Sequence, residues 1–239
     1  MILGINIDHI ATLRNARSEG YPNLLDLALI AVDAGANQIT AHLREDRRHI
    51  KDDDITSLKA NLPVPLNMEM ALTEEMVTIA LKTKPYAVCL VPEKRNEITT
   101  EGGLDLITNA KRLKVIIPKL QNAGIKVSLF IDSMKEQLDA AYELKCNSIE
   151  INTGAYANAS GNNIELEITK IQKIAQNAKL YGLGVHAGHG LNFKNIPPIA
   201  KIPEITEFNI GHFLVSYALF VGFKNSVSEM CKIITSYKS

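Results

Sequence analysis

The sequence predicts an α/β chain folded as one (β/α)8 barrel, and three observations carry that prediction. Eight short β-rich runs alternate with longer helical patterns along the whole chain. Parallel strands joined by helical crossovers are the natural solution to such alternation. The 239 residues show no composition break that would mark a linker, and single barrels routinely reach this size. Nearly every β-rich run also ends in polar or titratable residues, as expected of a fold whose active site lies where strands end and loops begin. An open doubly wound sheet is the competitor, but no G-x-G-x-x-G follows the first run. The expectation is one catalytic domain over residues 1–239.

The elements follow in order. Leu3–Asp8 reads as the first strand, and Asn23–Ala34 as a helix with apolar residues at Leu24, Leu25, Leu27, Ala28 and Ala31. Gly35 supplies its stop. Gln38–Leu43 is the second strand, Asp52–Asn61 a helix closed by Pro63 and Pro65, and Leu66–Met70 the third strand. Thr73 caps a helix with early acids Glu74 and Glu75. Tyr86–Val91 is the fourth strand, followed by a polar connection, 92–104, long enough to be a lid with Gly102-Gly103 as hinge. A helical stretch runs on to Asn122, with Pro118 expected to kink or restart it. Lys126–Asp132, Ser148–Asn152, Leu183–Ala187 and Glu207–Ile210 are strands five to eight. Lys135–Leu144, Ile164–Tyr181 and Phe213–Tyr237 are the helices among and after them.

Composition narrows the function. With 26 basic and 26 acidic residues the net charge is zero, so no global field draws the chain to nucleic acid or an anionic membrane. Any anion site must be local. No run approaches a membrane span, and no basic leader with a long apolar stretch opens the chain, so a cytoplasmic location is expected. Cys89, Cys146 and Cys231 show no metal-ligand spacing and read as reduced, mostly buried thiols. No HExxH or Walker motif appears.

The richest stretch is HLREDRRHI, 42–50, just beyond the second strand. It holds His42, Arg44, Arg47, Arg48 and His49 with Glu45 and Asp46 between them. Guanidinium groups match phosphate oxygens, so the stretch is either an anion site or a solvated charged loop. Other strand ends offer Asn6, Asp8 and His9, then Glu69, Asp132, Glu150 with Asn152, His186 with His189, and Asn209 with Gly211-His212. All six histidines fall at or just beyond such ends, which favours a shared rim over scattered structural roles. Glu69, between Met68 and Met70, is a carboxylate whose desolvation would raise its pKa toward proton-transfer range; a buried ion pair is the alternative. The glycines around His189 and before His212 expose amides for a second anion site, or simply make tight turns. Thr99 or Thr100 in the long loop could add a hydroxyl to a phosphate.

Taken together, NIDHIATLRNAR (6–17), HLREDRRHI (42–50), NMEM (67–70), VPEKRNEITTEGGLD (91–105), SLFID (128–132), EINTGAYA (150–157), AGHGL (187–191) and NIGH (209–212) resemble the pyridoxine 5'-phosphate synthase family over essentially the whole chain. The resemblance implies a barrel with extra helices, a homo-octamer, and no metal or organic cofactor. It implies condensation of 3-amino-2-oxopropyl phosphate with 1-deoxy-D-xylulose 5-phosphate, giving pyridoxine 5'-phosphate, inorganic phosphate and water. On matching positions, His42 and Glu69 resemble the acid–base pair, His189 the general acid and Glu150 a stabiliser of cationic intermediates. Asn6, Arg17, Gly190, Gly211 and His212 resemble the aminoketone phosphate site, and Asp8, His9, Arg44, His49 and Thr99 the deoxyxylulose phosphate site. Arg47 and Arg48 gain no contact from it, and Glu45 and Asp46 are expected to pair with them. His186, Asn152 and Pro118 depart from the family pattern. The rival readings are a phosphate-handling barrel isomerase or aldolase acting on one substrate, and a non-catalytic sensor of a sugar phosphate or pyridoxine phosphate.

Overall fold

In the computed structural model eight parallel strands close into a barrel in sequence order, β1 to β8. The structure describes residues 1–17, 19–93 and 102–237. The strands are β1 Ile2–Asn6, β2 Gln38–Leu43, β3 Leu66–Ala71, β4 Ala87–Val91, β5 Lys126–Ile131, β6 Ser148–Asn152, β7 Gly184–Gly188 and β8 Glu207–Ile210. The helices are α1 Asp8–Asn15, α2 Leu24–Asp33, α3 Asp52–Asn61, α4 Glu74–Thr83, α5 Ala110–Asn122, α6 Lys135–Glu143, α7 Gly154–Ala157, α8 Asn163–Leu180, α9 Ile196–Ala200, α10 His212–Val221 and α11 Phe223–Thr235.

Local chemistry sets most boundaries. Asn23 caps α2 by accepting the N–H groups of Leu25 and Asp26, and Gly35, at φ +110°, turns the chain out. Thr73 caps α4 through Met76 N–H. The outward faces of the strands carry Leu3, Ile5, Ile39, Met68, Val88, Leu129, Ile149 and Val185, which pack under the helix layer as the apolar core.

Several sequence expectations change. Asp8 does not end a strand: β1 stops at Asn6 and Asp8 opens α1, where an acid in the first turn complements the helix dipole. Pro118 neither breaks nor restarts α5; Pro118 and Lys114 both face solvent, so water can take the carbonyl that the missing N–H cannot reach. The terminal helix divides at Gly222, whose φ of +80° suits glycine, into α10 and α11. Gly103 is a packing glycine: an added Cβ would lie 2.3 Å from Asp132 N and 2.7 Å from Ile131 C. Leu104 N–H donates to Phe130 O at 2.7 Å, so the chain there is pinned against the end of β5 rather than hinged.

The barrel interior is the feature that positions the site. Such barrels are usually filled by branched apolar side chains in layers drawn from alternate strands. Here the layer from β2, β4, β6 and β8 is Thr40, Cys89, Glu150 and Asn209. Thr40 Oγ1 donates to Asn209 Oδ1 at 2.9 Å, and Asn209 Nδ2 donates to Glu150 Oε2 at 2.8 Å, with Cys89 Sγ 4.0 Å from that same oxygen. Deeper, Gln38 Nε2 and Asn209 Nδ2 both donate to Glu207 Oε1, and His186 Nδ1 lies 3.4 Å from it. His186 is therefore an interior residue in the middle of β7 and not part of the rim, contrary to its expected place. Glu150, likewise mid-strand in β6, points into the barrel below the mouth.

Gly103→Ala should destabilise the protein by about 1–3 kcal/mol, because the added methyl meets backbone that has no rotamer to yield. Urea unfolding of the variant against the parent checks this.

Candidate active site

The mouth of the barrel is built around His42, the fifth residue of β2. Its side chain is 6% exposed. Its backbone N–H donates to Asp8 Oδ1 at 2.8 Å, and Asn6 Nδ2 donates to Asp8 Oδ2 at 2.9 Å. The same Asn6 nitrogen reaches Glu69 Oε2 at 3.5 Å. That oxygen faces His42 Nδ1 at 3.9 Å, while Nε2 on the opposite edge faces Glu93 Oε2 at 3.7 Å. Asn6, Asp8, His42 and Glu69 thus form one cluster at the ends of three adjacent strands. Asp8, His42 and Glu69 each bring a ligand-type atom within 4.8 Å of one another. Asp8 and Glu69 share Asn6 Nδ2 there, so the geometry suits proton handling as it stands.

Charge in the cluster is set by burial. Burial first, then the nearby Asp8 and Glu150, push Glu69 well above the usual carboxylate range. Burial and Glu207 raise Glu150 to about 8, against the opposing bond from Asn209. Glu93 stays below its usual value despite desolvation, because His42, Glu45 N–H and Arg44 all face it. Burial lowers His9, His49, His186 and His189, which favours neutral imidazoles. Carboxyls shifted up and imidazoles shifted down titrate closer together than they do in water, which suits proton exchange between them.

The stretch after β2 is divided in its work. Arg44 is 2% exposed and its Nε lies 3.4 Å from Glu93 Oε1. Arg47 pairs with Asp52 at 2.8 Å and Glu75 at 2.5 Å, and its Nη1 also donates to the carbonyls of Arg44 and Glu45. Arg48 pairs with Asp46 at 2.7 Å, as expected. Glu45 does not pair with either arginine through its carboxylate; its N–H is held by Glu93. A clamp from α1 and α3 fixes the loop from behind. Arg14 makes a bidentate pair with Asp54 at 2.5 and 2.8 Å and donates to His49 O, while Asn15 Nδ2 donates to the carbonyls of Arg48 and His49. His49, half-buried over the site, has Nδ1 4.0 Å from Asp8 Oδ1 and its ring centroid 5.9 Å from that of His42.

The late glycines form the other side. The rings of His9 and His212 meet edge to face at 4.8 Å, joining the start of α1 to the start of α10. Gly211 precedes α10, and a Cβ there would strike Asn6 at 2.8 Å. Only glycine lets the N-terminus of α10 approach Asn6 so closely. His189 holds φ +78°, uncommon for a non-glycine residue, and Thr153 Oγ1 fastens its carbonyl at 2.6 Å. Gly190, at φ +77°, follows it, and its carbonyl accepts from Asn195 Nδ2. The His189 imidazole lies over Gly154 and 6.5 Å from the Phe130 ring.

Most of the sequence-predicted residues therefore converge on the barrel mouth. Glu150 lies beneath it and reaches it through charge. Arg17 is not brought in: it is 78% exposed and pairs with Glu19 at 3.1 Å. Thr99 lies outside the described residues, as does most of the expected lid. Glu93 and the Arg14–Asp54 clamp were not anticipated. Glu93 had only its place directly after a strand to signal it, and the clamp joins residues 40 apart in sequence.

Residues 3–236 match the family model described as "Pyridoxal phosphate biosynthesis protein PdxJ". The chain belongs to this family. Among its relatives, the pyridoxine 5'-phosphate synthase of Sulfurihydrogenibium sp. (strain YO3AOP1) is 54% identical over 237 residues, covering 98% of each chain. That of Zymomonas mobilis is 52% identical over 228 residues, 95% of this chain and 89% of the relative. In fold, the chain is similar to a phosphoribosylanthranilate isomerase from Thermotoga maritima, at TM-score 0.59 and 14% identity, covering 99% and 100% of the two chains. It is also similar to a thiamine phosphate pyrophosphorylase from Pyrococcus furiosus, at TM-score 0.62 and 14% identity, covering 100% and 97%. At that identity the likeness is one of fold. No helix among the described residues is long and apolar enough to cross a membrane.

The raised Glu150 carboxyl links protonation to stability. Folded Glu150 holds its proton up to about pH 8, whereas an unfolded glutamate loses it near 4.5. Its contribution is complete below the unfolded value and disappears as pH rises through the folded one. The buried histidines act oppositely, but their contribution is complete above their unfolded value of about 6.5. Between about pH 6.5 and 8.5 the melting temperature should therefore fall, and Glu150→Gln should flatten that fall. Calorimetry of both proteins across this window is the check.

Proposed function

We propose that the chain is a pyridoxine 5'-phosphate synthase, a transferase-type enzyme joining 3-amino-2-oxopropyl phosphate to 1-deoxy-D-xylulose 5-phosphate. Ring closure releases inorganic phosphate and water. The observation that carries the reading is Glu69: a carboxyl whose pKa burial pushes well above the usual range, 3.9 Å from His42 Nδ1, inside a full-length family match. An amine and a ketone condense to an imine when the carbinolamine hydroxyl is protonated and leaves as water and the nitrogen gives up a proton. A neutral carboxyl can donate the first proton, and the carboxylate it becomes can take the second.

The remaining residues fit around that exchange. Asp8 and Asn6 keep Glu69 and His42 in register. Glu150, below them, offers negative charge to a cationic imine once it ionises. His189 is placed to protonate a leaving group from the far wall. Two phosphates call for two anion sites, and the site has two candidate walls: Arg44, His49 and His9 on one, Gly190, Gly211 and His212 on the other, where the α10 amides emerge. Arg17 belongs to the second set by resemblance alone. Thr99 completes the first set by resemblance. A homo-octamer and a cytoplasmic location are part of the same reading. The outer face of α10, with Leu219 and Phe220 at 80% and 85% exposure, offers apolar surface for assembly.

The test is direct. The purified chain, given both substrates and no added cofactor, should form a product absorbing in the near ultraviolet with stoichiometric phosphate release. Glu69→Gln should lower kcat by about 10²-fold or more while still binding both substrates. Phosphate-free rearrangement of either substrate alone would favour a single-substrate isomerase instead.

A further inference from the structure

Glu93 is a buried carboxylate that none of the assigned roles uses. It stands two residues beyond β4, at the root of the long connection, with its side chain 3% exposed. Oε1 accepts Glu45 N–H at 2.9 Å and lies 3.4 Å from Arg44 Nε. Oε2 points at His42 Nε2 from 3.7 Å. Both of these facing atoms are buried, and neither has a hydrogen-bond partner among the described residues. Leaving two buried polar atoms unsatisfied is costly, and each is the nearest remedy for the other. A movement of about 0.9 Å would bring them into charge-assisted hydrogen-bond range, and catalytic contacts are commonly this long before substrate binds.

The other edge of the imidazole makes the pairing informative. Nδ1 faces Glu69 Oε2 at 3.9 Å. His42 thus lies between two carboxyl groups in opposite surroundings: Glu69 beside Asn6, which also bonds Asp8, and Glu93 beside Arg44 and the Glu45 amide. A histidine's two nitrogens are distinguished by the hydrogen bond made at one of them. We propose that Glu93 is a positioning residue for the reaction: its Oε2 fixes the His42 proton on Nε2, leaving the Nδ1 lone pair to exchange a proton with Glu69. The proton leaves Glu69 Oε2 and arrives on Nδ1, and the imidazolium so formed is flanked by two carboxylates. The return step reverses it, and no other proton is needed. Because Glu93 also holds Glu45 N–H, the end of β4 and the loop after β2 move together with this contact.

The inference rests on the proposed reaction only for its kinetic part. Imidazole 15N resonances of the ligand-free protein, assigned with a His42→Asn control, read the tautomer without any substrate. The wild type should carry the His42 proton on Nε2. In Glu93→Gln the amide oxygen can still accept Glu45 N–H while its NH2 faces His42, so the proton should move to Nδ1. With substrates, this variant should lose at least about tenfold in kcat with both KM values within about threefold. A wild-type His42 protonated on Nδ1 overturns the proposal whether or not the variant folds. An unchanged tautomer in Glu93→Gln, or a change confined to KM, also overturns it and assigns Glu93 to Arg44 alone. If the wild type forms no product, the functional reading fails while the tautomer measurement still decides the role of Glu93.

Discussion

Burying Glu69, Glu150 and Glu207 inside one barrel, with Asp8 at its mouth, is the constraint that the rest of the structure answers. An isolated ionised carboxylate in such a place is expensive, so the group must either be paired or keep its proton. Among the described interior residues, the partners are amides, imidazoles and a thiol: Asn6, Gln38 and Asn209, His42 and His186, and Cys89. With no lysine or arginine bonded to them, Glu69 and Glu150 stay protonated above the ordinary range. The neutral carboxyl at the reaction centre therefore follows from how the whole interior is filled.

The same constraint explains the interior glycines. The Thr40–Asn209 bond crosses β1 at Gly4, where a Cβ would lie 2.1 Å from Asn209 Oδ1. The Asn209–Glu150 bond crosses β7 at Gly188, where a Cβ would lie 2.3 Å from Glu150 Oε1. Polar chains that skip from one even-numbered strand to the next need an empty position on the strand between. The usual barrel fills such positions with branched side chains and has no lateral hydrogen bonds to accommodate. Here side-chain volume has been exchanged for connectivity, which holds Glu150 at a fixed depth below the mouth.

How much of this was legible in the sequence depended on range. The barrel was legible because alternation of β-rich and helical runs is a local signal repeated eight times. The raised Glu69 was expected from its two methionine neighbours, but those lie on the opposite, outward face of β3 and the shift comes from burial in the interior with Asp8 and Glu150. Asp8 opens α1 instead of ending β1 and still stands at the mouth, whereas His186, one residue further from its strand's end than expected, points into the interior. The stretch 42–50 looked uniformly charged, yet Arg44 is buried while Arg47 and Arg48 serve the loop's own geometry. Nothing local separates them. The distinction comes from Glu93, Asp52 and Glu75, carried by three other parts of the chain. Similarly, Gly102-Gly103 resembles a hinge until β5 is packed against it.

Among the described residues no lysine or arginine is bonded to Glu69 or Glu150, and carboxyl groups so placed are matched to a reaction that makes its own cation. Burial first, then Asp8 and Glu150, favours the protonated form of Glu69 in the free protein. A protonated imine formed between them would reverse that balance, since a nearby positive charge favours the ionised carboxylate as strongly as a negative one opposes it. The group that begins as an acid would then be poised as a base at the step that needs one. On this argument the order of acid and base work is set by the charge of the intermediate, and the protein need not change shape to reverse the role of Glu69. What the protein must do is hold His42 and Glu69 within reach of each other through both stages, and Asn6, Asp8 and Glu93 are the residues placed to do so.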